Sequence, residues 1–271
     1  MAHVIAIANQ KGGVGKTTTT INLATFLAKG KSKVMVVDLD PQGNTTTGLG
    51  IDKQAIDLSL YDVLLSGRHA HEAALRTGFN DVVVLPAAPV LAAAEVELVG
   101  TEQREFRLKQ VLADLPYDYI LIDCPPSLGL LTLNGLVAAD SLIIPVQAEF
   151  YALEGLGQLI QTVTRVRKAL NPDLDLMGVV LTMHNGRTSL SNQVHEEVKR
   201  HFPDKVFDTV IPRNVRLAEA PSFGKPISYY DKWSKGARSY QSLAKEVTKR
   251  AKSKRTAPAK PASQPKPKVA A

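Results

Sequence analysis

Residues Lys11-Gly12-Gly13-Val14-Gly15-Lys16-Thr17-Thr18 place three glycines, two lysines and two hydroxyls in eight positions. This is the chemistry of a loop that holds a polyphosphate. Glycines let the backbone curl until its N–H groups point inward at an anion. A helix starting at the end of the loop adds partial positive charge at the same point. Lys16 is then placed for the β- and γ-phosphates of ATP, and the Thr17 hydroxyl for Mg2+. The strict pattern wants a glycine five residues before Gly15, where Gln10 stands. Gly12 and Gly13 compensate for its absence. Lys11 is a second lysine at the loop entrance, and it cannot easily fold back to where Lys16 already lies. It is better placed to reach a nucleotide held by a facing subunit, as an arginine finger does in trans.

Two further segments carry carboxylates. Val34 to Val37 runs into Asp38-Leu39-Asp40-Pro41-Gln42-Gly43-Asn44, and Ile120 to Ile122 runs into Asp123-Cys124-Pro125-Pro126. Each is an apolar strand with an acid at its carboxyl tip. An aspartate beside a triphosphate can hold magnesium or its waters, or orient the attacking water. Asp123 fits the magnesium role and Asp40, ahead of the rigid Pro41, fits water positioning. Asp38 is expected to be structural or hydrogen-bonded to the phosphate loop. Cys124 reads as a small buried packing residue.

These residues need a scaffold that gathers strand ends on one edge. Apolar runs at Val4–Ala8, Lys33–Val37, Val82–Leu85, Tyr119–Ile122, Leu142–Val146, Leu176–Leu181 and Val206–Ile211 read as strands. Thr17–Ala28, Glu154–Ala169, Ser189–His201 and Tyr240–Ala251 read as helices, the third with Leu190, Val194 and Val198 recurring every four residues. Near-continuous apolar strands alternating with helices predict an α/β fold, a mostly parallel central sheet with helices on both faces. Such sheets bind ligands at the carboxyl ends of their strands.

The 271 residues suffice for one large domain, predicted over 1–252. The single cysteine allows no internal disulfide, and no apolar run is long enough to span a bilayer, so a soluble cytoplasmic protein is expected. Eight lysines and arginines with no acid fill residues 249–271. They exceed the net charge of +7, so the body is close to neutral. Residues 253–271 are rich in Pro, Ala and Lys and predict a disordered basic tail, either a solubility tail or a non-specific attractor for a polyanion.

The segments KGGVGKTTTTINLA, VVDLDPQGNTTTGLG, YDYILIDCPPSLGLLTLNGL, IPVQAEFYALEGL and VIPRNVRLAEAPSFGKPI resemble the ParA/Soj partitioning proteins among the deviant Walker A ATPases. The resemblance runs from residue 3 to about 228. The second and last stretches are the most specific to partitioning proteins. It implies an ATP-dependent homodimer with the nucleotides sandwiched between subunits and Lys11 reaching across. That dimer is expected to bind double-stranded DNA without sequence preference, on the nucleoid. A ParB/Spo0J-type centromere-binding partner then stimulates hydrolysis. By position, Lys11, Gly12, Gly13, Val14, Gly15, Lys16, Thr17 and Thr18 hold phosphates, Thr17 and Asp123 serve the metal, and Asp40 is catalytic with Lys11 and Lys16. Pro212 and Asn214 border the adenine. Arg187 and Arg216, with Lys199 and Arg200 behind them, are the expected DNA contacts.

Other proteins share the phosphate loop. A MinD-like membrane ATPase needs an amphipathic C-terminal helix, which the Pro-rich tail does not supply. A nitrogenase-like reductase needs more cysteine than Cys124. A related tyrosine kinase would carry clustered tyrosines, absent from 241–271. A small-molecule ligase on the same fold is the strongest enzymatic alternative, and an ATP-gated clamp without turnover the non-enzymatic one.

Overall fold

The chain was analysed as a computed structural model that describes residues 2–149 and 152–256. Seven strands form one sheet: β1 (His3–Ile7), β2 (Val34–Asp38), β3 (Leu75–Arg76), β4 (Val82–Leu85), β5 (Tyr119–Asp123), β6 (Ser141–Gln147) and β7 (Asp175–Thr182). Their spatial order is β3-β4-β2-β5-β1-β6-β7. Every pairing is parallel except the short edge pair β3–β4.

The helices are α1 (Lys16–Lys29), α2 (Asn44–Gly48), α3 (Leu60–Leu65), α4 (Ala70–Ala73), α5 (Leu91–Glu97) and α6 (Arg107–Leu112). They continue as α7 (Leu130–Ala138), α8 (Ala152–Ala169), α9 (Ser189–His201), α10 (Val215–Glu219), α11 (Ile227–Tyr230) and α12 (Lys235–Thr256).

The two-residue alternation of a strand splits the core into two layers. In β5, Ile120 and Ile122 join one apolar cluster, and Tyr119 and Leu121 join the other. The first layer is closed by residues of α3, α5, α7 and α8. The second is closed by α1 and α12, through Ile21, Leu23 and Leu27 on one helix and Tyr240, Leu243 and Val247 on the other. All five residues of β2 and of β5 are buried, as a sheet covered on both faces requires. Each fully buried leucine or isoleucine there contributes about 1.5–3 kcal/mol. Among the described residues no helix is long and apolar enough to cross a membrane.

The strand expected at Val206–Ile211 does not form. The segment lies beside β7 and meets it at its two ends, through the Val179–Val206 bridge and the bond from Ile211 N to Leu181 O at 2.8 Å. Its middle is drawn off by the Glu246 carboxylate of α12, which accepts from Asp208 N at 3.0 Å and Thr209 N at 2.9 Å. A charge-assisted pair of bonds to a carboxylate has replaced ladder bonds.

The last helix also extends past its expected end. It runs to Thr256, five residues beyond Ala251, and the rest of the expected tail lies outside the described residues. Two cations of the basic run 249–271 are built into the fold, Arg250 from the predicted helix and Lys254 from the predicted tail. Arg250 donates to Met177 O at 2.7 Å and Val206 O at 2.8 Å, with its guanidinium 4.1 Å from the Phe207 ring centroid. Lys254 donates to the carbonyls of Asp140 and Asp173.

Candidate nucleotide and magnesium site

β1 delivers the chain to the carboxyl edge of the sheet, and residues Ala8–Gly15 turn there into α1. Gly13 and Gly15 have φ of +73° and +90°, a conformation that a side chain disfavours. Three contacts set the loop's shape. Asn9 Nδ2 donates to Pro145 O at 2.7 Å, and Asn9 Oδ1 accepts from Lys11 N at 3.0 Å. On the other side Thr182 Oγ1, at the end of β7, donates to Val14 O at 2.7 Å. The loop is therefore pinned to β6 and β7 before any ligand arrives.

Lys16 is 7% exposed, and its ammonium donates to Lys11 O at 3.3 Å. Burial pulls its pKa below the ordinary lysine value, and Asp123 acts in the opposite direction. The cation lines an open cavity of about 630 Å³ together with Gly12, Thr17, Thr18, Asp40 and Pro126.

Asp38 and Asp123 are direct cross-strand partners on neighbouring β2 and β5. The Asp123 Oδ2 accepts from Thr17 Oγ1 and from Thr45 Oγ1, both at 2.7 Å, and its Oδ1 accepts from Thr20 Oγ1 at 3.3 Å. Burial pushes its pKa up to about 6, against those threonine bonds. Asp38 accepts from both Thr46 N and Thr46 Oγ1 at 2.7 Å. Burial, then the neighbouring Asp123, raises it to about 7. Asp38 thus anchors α2. Of the two roles expected for it, the structural one fits: its hydrogen bonds go to Thr46 and to Asp40 N, at 3.4 Å, in its own segment. Cys124 is fully buried, as expected, and burial raises its thiol pKa.

Asp40 stands at the cavity rim. Its Oδ1 accepts from Gln42 N at 3.0 Å and its carbonyl accepts from Gly43 N at 2.9 Å. A tight turn therefore presents it, with Gly43 at φ +63° and close to Ala87 O.

A second, smaller cavity of about 190 Å³ continues from the first through Gly15, Thr18 and Met183. It contains Pro212, Asn214, Leu217 and Tyr240. One half of the cleft is thus lined by a cationic glycine loop and carboxylates, the other by mostly apolar groups. That division fits a triphosphate joined to a base.

The residues fit magnesium as well. Asp123 and Thr17 are already mutual partners, and among the described residues no group of three His, Cys, Asp or Glu could hold a metal unaided. A magnesium ion here would complete its octahedron with phosphate oxygens and water. Since Asp123 is raised to about 6, such a ligand must displace its proton below that pH. Mg·ATP binding is accordingly expected to weaken as pH falls from 7 to 5, with proton uptake by buffer near pH 6. Calorimetry in buffers of different ionisation enthalpy measures it, and a proton-neutral, pH-independent affinity would contradict the assignment.

Lys11 is about 38% exposed and its ammonium pairs with Glu149 at 3.2 Å, inside the same chain. Sequence reasoning missed Glu149, Thr45 and Thr46. The run Asn44-Thr45-Thr46-Thr47 after a glycine was the available signal for the threonines.

The expected DNA contacts come from two segments, the turn and helix after β7 and the segment around α10, which a bridge joins at His184 and Pro212. Arg187 is exposed in the Asn185–Thr188 turn before α9. Lys199 and Arg200 lie in the last turn of that helix, roughly 18 Å along its axis. Arg200 pairs with Glu197, and Arg216 is held by Glu219 at 3.0 Å and Asp231 at 3.6 Å.

A glycine loop feeding the N-terminus of α1, with buried carboxylates at the tips of two adjacent parallel strands, defines a P-loop nucleoside-triphosphatase site. Comparison with known proteins narrows the class. The family model described as an AAA domain matches residues 2–176. The sporulation initiation inhibitor protein Soj of Bacillus subtilis is 57% identical over 249 residues, 91% of this chain and 98% of that protein. The chromosome partitioning protein ParA of Myxococcus xanthus is 53% identical over 252 residues, 92% of this chain and 89% of that protein. Among solved structures, a Mycobacterium smegmatis protein described as cobyrinic acid a,c-diamide synthase, with bound ATP analogue and magnesium, is 39% identical with a TM-score of 0.83. That match covers 93% of this chain and 97% of the other. The chain belongs to the ParA/Soj family of chromosome-partitioning ATPases.

Proposed function

We propose that this protein is an ATP-driven DNA-partitioning switch. ATP with magnesium closes two subunits face to face, the closed dimer binds double-stranded DNA without sequence preference, and hydrolysis stimulated by a ParB-type protein resets it. The observation that carries this reading is the placement of Lys11. Its ammonium faces Glu149 at the mouth of the loop, while Lys16 alone occupies the phosphate cavity. Lys11 is thereby free to exchange an exposed ion pair, worth under about 1 kcal/mol, for the phosphates of a facing subunit. Gly12 supports the same reading. It has no positive φ, and a Cβ there would meet nothing within 4 Å, so the subunit's own fold does not demand glycine. Close approach of a second subunit would.

Within each subunit, Lys16 and the loop N–H groups hold phosphate, Thr17 and Asp123 hold magnesium, and Pro212 and Asn214 border the base. Asp40 orients water at the open rim. The globular unit, expected over 1–252, extends to the end of α12 at Thr256, with the basic segment after it adding non-specific attraction to DNA, and the protein works on the nucleoid. Pairing subunits doubles the cations offered to phosphate, which ties DNA affinity to dimerisation.

A gel shift on unrelated duplexes, with no nucleotide, ADP, ATP and a slowly hydrolysed analogue, tests the switch. Binding is expected with ATP and the analogue alone. Equal binding in all four conditions, lost on truncation after residue 256, would leave the switch without support. Turnover stimulated by a metabolite rather than by DNA and a partner protein would favour a ligase instead.

A further inference from the structure

Asp40 sits in a strap, residues 39–44, that leaves the sheet after β2 and returns to it at α2. Two neighbouring threonines receive it there, and they do different things. Thr46 fastens α2 to β2 and to the segment after β4. It holds Asp38 through its N–H and its hydroxyl, both at 2.7 Å, and its hydroxyl oxygen accepts from Ala87 N at 3.1 Å. Thr45 is fully buried, and its hydroxyl turns to the next strand instead. Its Oγ1 donates to Asp123 Oδ2 at 2.7 Å, the same oxygen that accepts from Thr17 Oγ1 at 2.7 Å. One carboxylate oxygen therefore joins the phosphate-loop threonine to the segment that carries Asp40.

Asp123 in fact holds both ends of the strap. Leu39 N donates to its carbonyl at 3.0 Å, and Thr45 comes back to its side chain. Between those ends the bonds are local. Asp40 N donates to Asp38 Oδ1 at 3.4 Å, and Asp40 accepts from Gln42 N and Gly43 N. Such bonds shape the turn but move with it. Its place relative to the phosphate loop is set at the ends, and the Thr45 hydroxyl is the end that lies on the oxygen shared with Thr17.

We propose that Thr45 is a positioning residue for ATP hydrolysis. Its hydroxyl fixes Asp40 relative to the Thr17–Asp123 pair, the seat assigned to magnesium. A hydrogen bond to a carboxylate is directional and charge-assisted, whereas an apolar contact of the same size would let the strap slide. Displacing a group by about 1 Å from its working geometry is enough to slow a reaction about 100-fold. The inference rests on the reading of Asp40 as the residue that orients water.

Thr45→Val keeps the shape and removes the donor, and Thr45→Ser keeps the donor. Both are compared with the unaltered full chain by amide hydrogen exchange without nucleotide, by Mg·ATP titration and by single-turnover hydrolysis, alone and combined with Asp40→Ala. Thr45→Val is expected to speed exchange over residues 41–47 about ten-fold and to slow hydrolysis by about ten- to hundred-fold, with ATP affinity held within about three-fold. Thr45→Ser should restore both exchange and turnover. Added to Asp40→Ala, Thr45→Val should slow hydrolysis no further, because a residue that acts through Asp40 then has nothing to position. Unchanged exchange and turnover in Thr45→Val, or a Thr45→Ser variant as impaired as it, would overturn the role. So would a double variant slowed by the full factor again, which would make Thr45 act on its own. Undiminished turnover by Asp40→Ala would remove the reading of Asp40, and this inference with it, even where exchange over 41–47 has quickened.

Discussion

Lys16→Ala is expected to weaken Mg·ATP binding by about 100-fold or more, while the fold stays intact. Lys16 is 7% exposed, and among the described residues its ammonium donates to the Lys11 carbonyl at 3.3 Å. Burial already disfavours its charge. A bound triphosphate would replace a neutral carbonyl with several anionic oxygens, and such charge-assisted bonds in a poorly hydrated cavity are about twice as strong as neutral ones. Truncating one partner of a desolvated charge pair costs about 2–5 kcal/mol. Lys11 cannot substitute, because its ammonium points away to Glu149. Isothermal titration reads the loss directly, and thermal shift confirms it. The unliganded variant should melt near the unaltered protein but gain little from saturating ATP, since ligand stabilisation follows the ratio of concentration to dissociation constant. Affinity within about three-fold of the unaltered protein would mean that Lys16 is not the phosphate lysine.

The same residue illustrates why so much of the site was legible in the sequence. Lys16 belongs to a local motif in which strand, glycine loop and helix are contiguous, so spacing alone orders its parts. Asp38 and Asp123 were legible for a related reason. Each closes an apolar run, and in a parallel sheet all such runs end on one edge, so residues 85 positions apart become register partners. What stayed hidden depends on contacts with no sequence period. Glu149 meets Lys11 across 138 residues, where the end of β6 passes the loop mouth. Glu246 captures the N–H groups of Asp208 and Thr209 and cancels a strand that β-propensity favoured. Lys254 looked like a tail charge because composition cannot tell a solvated cation from one seated on carbonyl oxygens. The all-round apolar α7 carries no amphipathic stripe, since Leu131, Leu136 and Val137 are buried on different sides.

Asp40→Ala is expected to separate binding from turnover. Asp40 is partly exposed at the cavity rim, and its hydrogen bonds go to Asp38, Gln42 and Gly43 of its own segment. It accepts from Gln42 N, which an alanine would forfeit at about 1 kcal/mol of local turn stability. The surrounding anchors remain, because Asp38 still holds Thr46 and Asp123 still holds Thr45. ATP and magnesium should therefore bind the variant nearly as well as the unaltered chain. Hydrolysis should fall by about 10²–10⁴, the usual worth of a positioned acid–base group. If binding closes the dimer and hydrolysis opens it, losing the second step while keeping the first must accumulate the DNA-bound state. Single-turnover hydrolysis in the presence of DNA and a ParB-type partner measures the chemistry, and a DNA dissociation time course measures the trap. The two readouts must move together, with slower hydrolysis matched by slower release. A variant that still turns over ATP rapidly would take the catalytic role away from Asp40. Slow hydrolysis with unchanged DNA release would mean that dissociation is driven by something other than the chemical step.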